Sequence, residues 1–474
     1  DISKCFDSIY THSIGWAVIG KEAQKESLRL NTGTFPDKFD KLMQRMNQGE
    51  TNGIIIGPEF SRIFAEIILQ AIDREVTHKL AARSEPLLYG RDYEVFRYVD
   101  DYFIFVNDDS NETFIVEQLQ HTLKKYKMYL NTSKAITYKK PIITEITMAK
   151  QQIARLLEDR IKFTLEQIED DSGGMLVKGS VYVNTNSLIT SFKTIIKTCD
   201  VEYKDMLNYT LSIVERKCEK MLENYLKVSP EYRSQGQLVN AINGIIEFVF
   251  FIYSVSPRVN TTIRLCRVLR VMTLFLKSGH ITRDQVQVVQ KQIFDDISFV
   301  LKKNETSGET QVETLYLLIA LSELGRDYWL EENVLRNYLG IKKVEGENES
   351  ASISSLNYLA ITVSLFYMKS KVRYNSLRNS IIDAALDRIR KRSETCHKDA
   401  ELIFLLFDLI SCPYVSNDKK RNALEMFDVA NASLANDIIA FNDDGGSNPQ
   451  QWFTNWFDFD FGKELDAKRS QEVY

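Results

Sequence analysis

The chain is poor in residues that interrupt regular structure, with 8 prolines and 20 glycines among 474 residues. That scarcity excludes collagen-like and low-complexity classes and suits a helix-rich protein. Its six cysteines (Cys5, Cys199, Cys218, Cys266, Cys396, Cys412) are scattered, and its five histidines are equally dispersed. Neither a zinc site nor a disulfide framework is indicated, and a reducing, cytoplasmic setting fits best. No uninterrupted apolar run reaches bilayer length, so no membrane partner is expected. The basic start and apolar core of a signal peptide are missing too. Asp1-Ile2-Ser3-Lys4 reads as the middle of a domain, so an upstream segment is expected.

What is present is an ordinary globular balance, 44% hydrophobic and 26% charged, which argues against a disordered chain. The length suffices for two or three cored domains. A net charge of -5 does not advertise a nucleic-acid binder. It does not exclude one, because a basic channel matters more than a basic total.

The clearest local signal is Phe96-Arg97-Tyr98-Val99-Asp100-Asp101-Tyr102-Phe103-Ile104-Phe105. Two β-prone aromatic runs flank adjacent aspartates, which predicts a hairpin with Asp100-Asp101 at its tip. Tyr98 and Phe103 are expected to anchor it while a carboxylate projects into a cleft. An ordinary polar turn between two core strands has the same appearance. A second acidic position, Asp1, stands at the end of a strand-like segment, before Phe6 and an amphipathic stretch over Ile9 to Ile19. Phosphoryl transfer by two metal ions needs carboxylates from separate strands converging on cations roughly 3.5–4 Å apart. Asp1 and Asp100 can supply that pair, with Mg²⁺ removing their mutual repulsion.

These segments resemble the motifs of reverse transcriptases. Tyr98-Val99-Asp100-Asp101 matches their YxDD box, and Asp1 to Ile9 is similar to their first catalytic motif. Asn52 to Leu69, with Gly57 in a loop that enters a helix, takes the place of the second motif. Tyr129-Leu130-Asn131-Thr132-Ser133-Lys134 looks like the fourth palm motif. Four motifs in order are far more specific than one. The second motif departs from the family, reading Ile55-Ile56-Gly57 where Pro-Gln-Gly is usual. With Ile9 to Ile14 and the long helical extension, the pattern resembles the defence-associated, abortive-infection group of AbiA and AbiK type.

That resemblance implies an α+β palm, with the fingers upstream, followed by an all-α, HEAT-like helical-repeat domain. It implies an RNA-directed or template-independent DNA polymerase acting in anti-phage defence, possible protein priming included. Asp1, Asp100 and Asp101 would bind two Mg²⁺ ions, with Mn²⁺ able to substitute. Phe6, five residues after Asp1, would exclude the 2′-hydroxyl of a ribonucleotide by overlap. Gly57 would line the nucleotide site, and Lys134 would assist the triphosphate. Implied partners are dNTPs, an RNA template or DNA product, and a second copy of the chain or another defence protein. The alternatives are a non-catalytic RNA-binding or assembly subunit, and an RNA polymerase if Phe6 is one residue out of register.

Weaker signals surround these. His121 to Lys140 holds Lys124, Lys125, Lys127, Lys134, Lys139 and Lys140 with no acidic residue, either a backbone-steering stretch or a solvated face. Arg264, Arg267 and Arg270, with Arg258 nearby, predict a solvated helix side more than a nucleic-acid stripe. His12 suits packing or capping. Trp452, Phe453, Trp456, Phe457, Phe459 and Phe461 suit docking of an acidic tail more than base stacking.

The expected organisation is a palm over 1–140, a palm–thumb connection over 141–186, helices over 187–440, and a linker with an aromatic tail over 441–474. The connection is read as a loop at 169–174 with a short hairpin. Beyond 187, helices are expected at 188–198, 203–226, 237–253, 261–277, 311–324, 355–370, 376–390, 400–410 and 419–429. Polar breaks are expected at 303–308 and 344–349, with a flexible link at 443–448. A pitch of roughly 40 residues suggests paired, stacked helices, and with no repeated signature sequence an irregular helical bundle is the alternative.

Overall fold

A computed structural model describes residues 1–26, 32–169, 175–304, 310–341, 356–442 and 450–471. The breaks expected at 303–308 and 344–349, the loop at 169–174 and the link at 443–448 fall largely outside these residues. The chain forms two compact units, Asp1–Ile142 and Ile143–Tyr474. It is mostly helical, with two sheets of two strands each.

The first unit runs α1 (Cys5–Ser8), α2 (Ser13–Val18), α3 (Lys21–Glu26), α4 (Phe35–Met46), α5 (Glu59–Ala81), β1 (Tyr93–Tyr98), β2 (Asp101–Val106) and α6 (Ser110–Lys125). Helix α5 follows Pro58, whose fixed φ suits a helix entrance. Its buried Phe64, Ala65, Ile68, Leu69, Ile72, Val76 and Leu80 recur at helical spacing. Ile115, Leu119 and Leu123 of α6 join the same core, along with Ile2, Cys5, Ile9 and Ile14.

Strands β1 and β2 pair antiparallel from Tyr93–Val106 to Tyr98–Asp101. The turn therefore consists of Val99 and Asp100, and Asp101 is the first residue of β2, which corrects the expected Asp100-Asp101 tip. The hairpin's faces are also opposite to expectation. Phe96, Tyr98, Phe103 and Phe105 are each about half exposed, whereas Val95, Tyr102, Ile104 and Val106 pack on the core. Alternation fixes which residues share a face but not which face turns inward. Arg97, on the inward face, bonds Glu66 and Asp73 of α5.

The second unit runs α7 (Glu145–Arg160), β3 (Ile161–Glu169), β4 (Met175–Val183), α8 (Thr185–Thr198), α9 (Tyr203–Lys227), α10 (Gln235–Tyr253), α11 (Val259–Lys277), α12 (Arg283–Lys303), α13 (Val312–Ser322), α14 (Glu332–Tyr338), α15 (Tyr358–Met368), α16 (Asn375–Lys391), α17 (Ala400–Ser411), α18 (Asn417–Glu425), α19 (Ala432–Asn442) and α20 (Phe461–Gln471). Segment 141–186 is more than a connection. It begins with a 16-residue helix capped by the Thr144 hydroxyl and continues into a hairpin of nine-residue strands, packed on α8, α9 and α10. Helices α9, α11, α13, α15 and α17 pack in succession, while α8, α10 and α12 form a second row.

Helix α10 corrects the reading of apolar runs: its 19 residues are long and apolar enough to cross a membrane by length and composition. Asn240, Asn243 and Glu247 interrupt the run in sequence, which hid it. The helix is mostly buried, with Leu238, Ile242, Ile245, Phe248, Val249 and Ile252 inside the core, as expected for the central helix of a globular domain. The arginines of α11 are not a solvated stripe either. Arg267 is 2% exposed and bonds Glu215 of α9 at 2.6 and 3.0 Å. Arg264 lies 3.6 Å from the same carboxylate, and Arg270 holds Asp466 at 2.7 Å. The aromatic tail docks: Trp456 is buried with its indole N–H donating to Ser411 Oγ, and Phe459 stacks edge-on against Phe366. Buried Asp408 accepts from the Phe453 and Thr454 amides, the Thr454 hydroxyl and the Tyr358 hydroxyl.

Candidate functional site

Three distant segments meet around Asp1. Residues 1–3 lie beside 129–131, with the Ser3 amide donating to Tyr129 O (2.8 Å) and the Asn131 amide to Asp1 O (2.9 Å). On the other side, the Ile2 amide donates to Asp100 O at 3.0 Å. This places the proposed first motif between the hairpin turn and the proposed fourth motif. Side chains one residue apart on an extended segment point to opposite faces, so buried Ile2 seats the strand while Asp1 and Ser3 face the other way. Lys134, in a single 3₁₀ turn, donates to Asp1 Oδ2 at 2.6 Å.

The proposed second motif reaches the same place by backbone pairing. The Gly53 amide donates to Ile9 O (2.8 Å) and the Ile54 amide to Phe6 O (3.0 Å). Gly53 has φ +84, and a Cβ there would stand 3.2 Å from the Asp7 carbonyl oxygen, so glycine is required twice over. Gly57 also has positive φ (+121) in the loop before α5, with open space around it. Phe6 is half-buried against the first unit's core.

The turn that carries Asp100 is strained and clamped. Val99 has φ +53, a left-handed conformation costing a β-branched residue roughly 1–2 kcal/mol. Its carbonyl accepts from Arg97 Nη1 at 2.8 Å. The same guanidinium grips Glu66 through two bonds (2.8 and 2.9 Å) and Asp73 through a third (2.9 Å), both on α5. Tyr102 donates to the other Asp73 oxygen at 2.7 Å. Burial alone would lower the Arg97 pKa, but these carboxylates carry it above its ordinary value. The Arg97 bond in turn holds Glu66 below the usual carboxylate range. Sequence reading missed this network. Its only trace was an arginine among the aromatic and apolar residues of β1, with partners 24 and 31 residues away.

Asp1 and Asp100 therefore come together through the backbone, Lys134 joins Asp1, and Phe6 and Gly53 lie on the adjoining segment. Asp101 does not join them in the same way: it begins the exposed face of β2, with Phe103 and Phe105. The donor set of Asp1 and Asp100 is hard oxygen, suited to Mg²⁺ or Mn²⁺, and Lys134 already supplies Asp1 with a counter-charge. Buried Cys5 lies close enough to feel Asp100: burial first, then that carboxylate, pushes its thiol up to about 12. Among the described residues, no three His, Cys, Asp or Glu side chains gather in a metal-holding arrangement. The segments of Asp1 and Asp100 adjoin through the backbone, while Asp101 lies on the exposed face of β2.

The remaining signals find ordinary partners. His12 Nδ1 lies 2.5 Å from Asp40, and Lys139 pairs with Asp109. A cavity of about 660 Å³ lies in the second unit, lined by Leu406, Phe407, Phe427, Ile438, Phe441 and Trp452 among others. Its almost wholly carbon lining does not suit phosphoryl chemistry, so the carboxylate site is the better candidate. No protein-family model matches the chain, and no curated protein does.

Proposed function

We propose that the first unit is the palm of a reverse-transcriptase-like polymerase that adds deoxynucleotides by metal-assisted nucleotidyl transfer. The observation that carries this reading is the Ile2 amide bond to Asp100 O. It joins the backbones of two distant motifs, and Lys134 bonds the Asp1 carboxylate beside that junction. Bound at Asp1 and Asp100, Mg²⁺ would supply charge stabilisation for the transferring phosphate and the leaving pyrophosphate. Lys134 would shift from Asp1 towards the triphosphate once a cation neutralises that carboxylate. Phe6 would stand as an apolar wall against a 2′-hydroxyl. The second unit would be a HEAT-like array that holds product or a partner, and the setting would be cytoplasmic anti-phage defence.

The test is incorporation of labelled dNTPs or NTPs by the natural full-length protein with Mg²⁺ or Mn²⁺, with and without an RNA template. Asp100→Asn should lower incorporation by at least about 100-fold without lowering thermal stability, because preorganised charge acts on the transition state. Equal turnover in a well-folded Asp100→Asn protein would sink the assignment. A second reading, a non-catalytic RNA-binding or assembly platform, draws support from two features. Asp101 stands apart, and Lys134 already neutralises Asp1. No incorporation under any condition, with RNA binding retained, would favour it.

A further inference from the structure

On the first unit, lysines from four segments gather on a ladder of aromatic rings. Tyr10 packs against Trp16 with centroids 5.6 Å apart, and Trp16 against Tyr126 at 6.2 Å. The Lys127 ammonium lies 3.6 Å above the Tyr10 ring, and that of Lys21 lies 4.3 Å above Trp16. Lys21 also donates to the Lys125 carbonyl at 2.9 Å. Lys125 and Lys79 share a single carboxylate, Glu75, each at 2.5 Å. Lys25 projects from α3, exposed. Two of these five lysines thus share one carboxylate, and Lys21, Lys25 and Lys127 have no ion pair among the described residues. Glu22 and Glu26, exposed on α3, make no ion pair with them among the described residues.

The excess charge is felt inside the cluster. Burial, then Lys25, Lys125 and Lys127, lower the pKa of Lys21. A folded protein that sets ammonium groups against one another gains nothing from it unless an anion neutralises them. The rings matter as well. A free lysine side chain loses rotamer entropy when it grips a ligand, and cation–π seating removes part of that loss beforehand. Because ammonium groups already cover the Tyr10 and Trp16 faces, the patch suits phosphates better than stacked bases.

We propose that this lysine ladder binds the phosphodiester backbone of a single-stranded nucleic acid, without regard to sequence. Its position favours nucleic acid over an anionic membrane. Lys127 and Asn131 are four positions apart, at most about 14 Å of chain, and Asn131 is bonded to Asp1. A strand at the carboxylate site can therefore run over the ladder. That placement rests on the polymerase reading, but binding itself does not.

The experiment measures fluorescence anisotropy of a labelled oligo-dT on the full chain over a series of salt concentrations. An Asp100→Asn background keeps catalysis out of the measurement. The parent should lose affinity with salt, and Lys21→Gln/Lys127→Gln should flatten the log–log slope by about 1.4, near 0.7 per lost phosphate contact. The same pair should weaken binding about tenfold or more at low salt, whereas Lys21→Arg/Lys127→Arg should retain it. Lys398→Gln, on an exposed turn of the second unit, should change neither quantity. Unchanged slope and affinity in Lys21→Gln/Lys127→Gln would overturn the proposal. So would loss of binding to phosphatidylglycerol vesicles with oligo-dT binding intact, which would assign the ladder to a membrane. If dNTP incorporation fails but the slope still flattens, the ladder stands and the polymerase reading falls. If incorporation succeeds with unchanged binding, the reverse holds.

Discussion

Replacing Arg97 with methionine removes a guanidinium while keeping an apolar stem of similar reach. The Arg97 side chain is 7% exposed, whereas Glu66 and Asp73 are each 32% exposed. The substitution breaks four bonds and leaves two carboxylates facing a hairpin with no cation. Breaking a buried ion pair from one side costs about 3–5 kcal/mol. Both carboxylates keep a third of their surface in water, which pulls the cost to the lower end, about 3 kcal/mol. At roughly 2–4 °C per kcal/mol for a unit of this size, Tm of the first unit should fall by about 6–12 °C.

The pH dependence has a definite sign. Arg97 depresses the Glu66 pKa, so this bond stabilises the fold above the unfolded glutamate value near 4.5. That contribution disappears as pH falls through the lower folded value. Arg97→Met should therefore differ most from the parent near neutrality and least in acid. Lysine cannot reproduce the bidentate grip, so Arg97→Lys should fall between the two. The assays are thermal unfolding at several pH values and hydrogen exchange of the amides in 93–106. A change in Tm under about 2 °C at pH 7, with exchange unaltered, would refute the clamp.

Two further substitutions probe other features. Gly53→Ala should destabilise by about 1–2 kcal/mol, because φ is +84 and the new Cβ meets the Asp7 carbonyl. Gly236→Ala, in open space on α10, should be neutral or stabilising, and chemical denaturation compares them. Lys371 sits over Trp329 at 4.0 Å and donates to the Tyr367 carbonyl, beside Tyr374. Burial, then Lys369 and Arg373, lower its pKa to about 8. The unfolded lysine binds its proton more tightly, so this strain is present below pH 8 and relieved as pH rises towards 10.5. Lys371→Met should raise stability by roughly 1 kcal/mol at pH 7, with a smaller gain at pH 9.5. Equal gains at both pH values would count against the titration.

The helices of the second unit were legible because their apolar residues repeat at three and four over long stretches, as in α10 and α11. Helix α12 was not, because its buried Val289, Ile293, Ile297, Val300 and Leu301 form a narrow stripe among many polar residues. The fate of charged residues was legible least. Arg264, Arg267 and Arg270 are spaced as a solvated stripe would be, yet Glu215, some 50 residues earlier, draws two of them inward. Spacing within one helix carries no information about which carboxylate on another helix will face it. The tail was easier, since six aromatics in ten residues need apolar cover, and α15 and α17 provide it.

The candidate site divides along the same line. Its meeting of segments is made by backbone bonds, Ile2 to Asp100, Ser3 to Tyr129 and Asn131 to Asp1, which depend little on side-chain identity. The motifs led to an expected pairing of Asp1 with Asp100, but not to these bonds. The precise set of the turn depends instead on Arg97, whose long-range partners no local pattern announces. The turn is held from beneath by Arg97 through the Val99 carbonyl, not by the aspartate it presents. Asp100→Asn removes charge from a turn that stays clamped, and should alter chemistry while sparing the fold. Arg97→Met leaves the carboxylate in place but frees a left-handed valine to relax, and should lower stability and any Asp100-dependent activity together. Equal effects on stability from both substitutions would mean that the aspartate itself holds the turn, and the clamp would then be incidental.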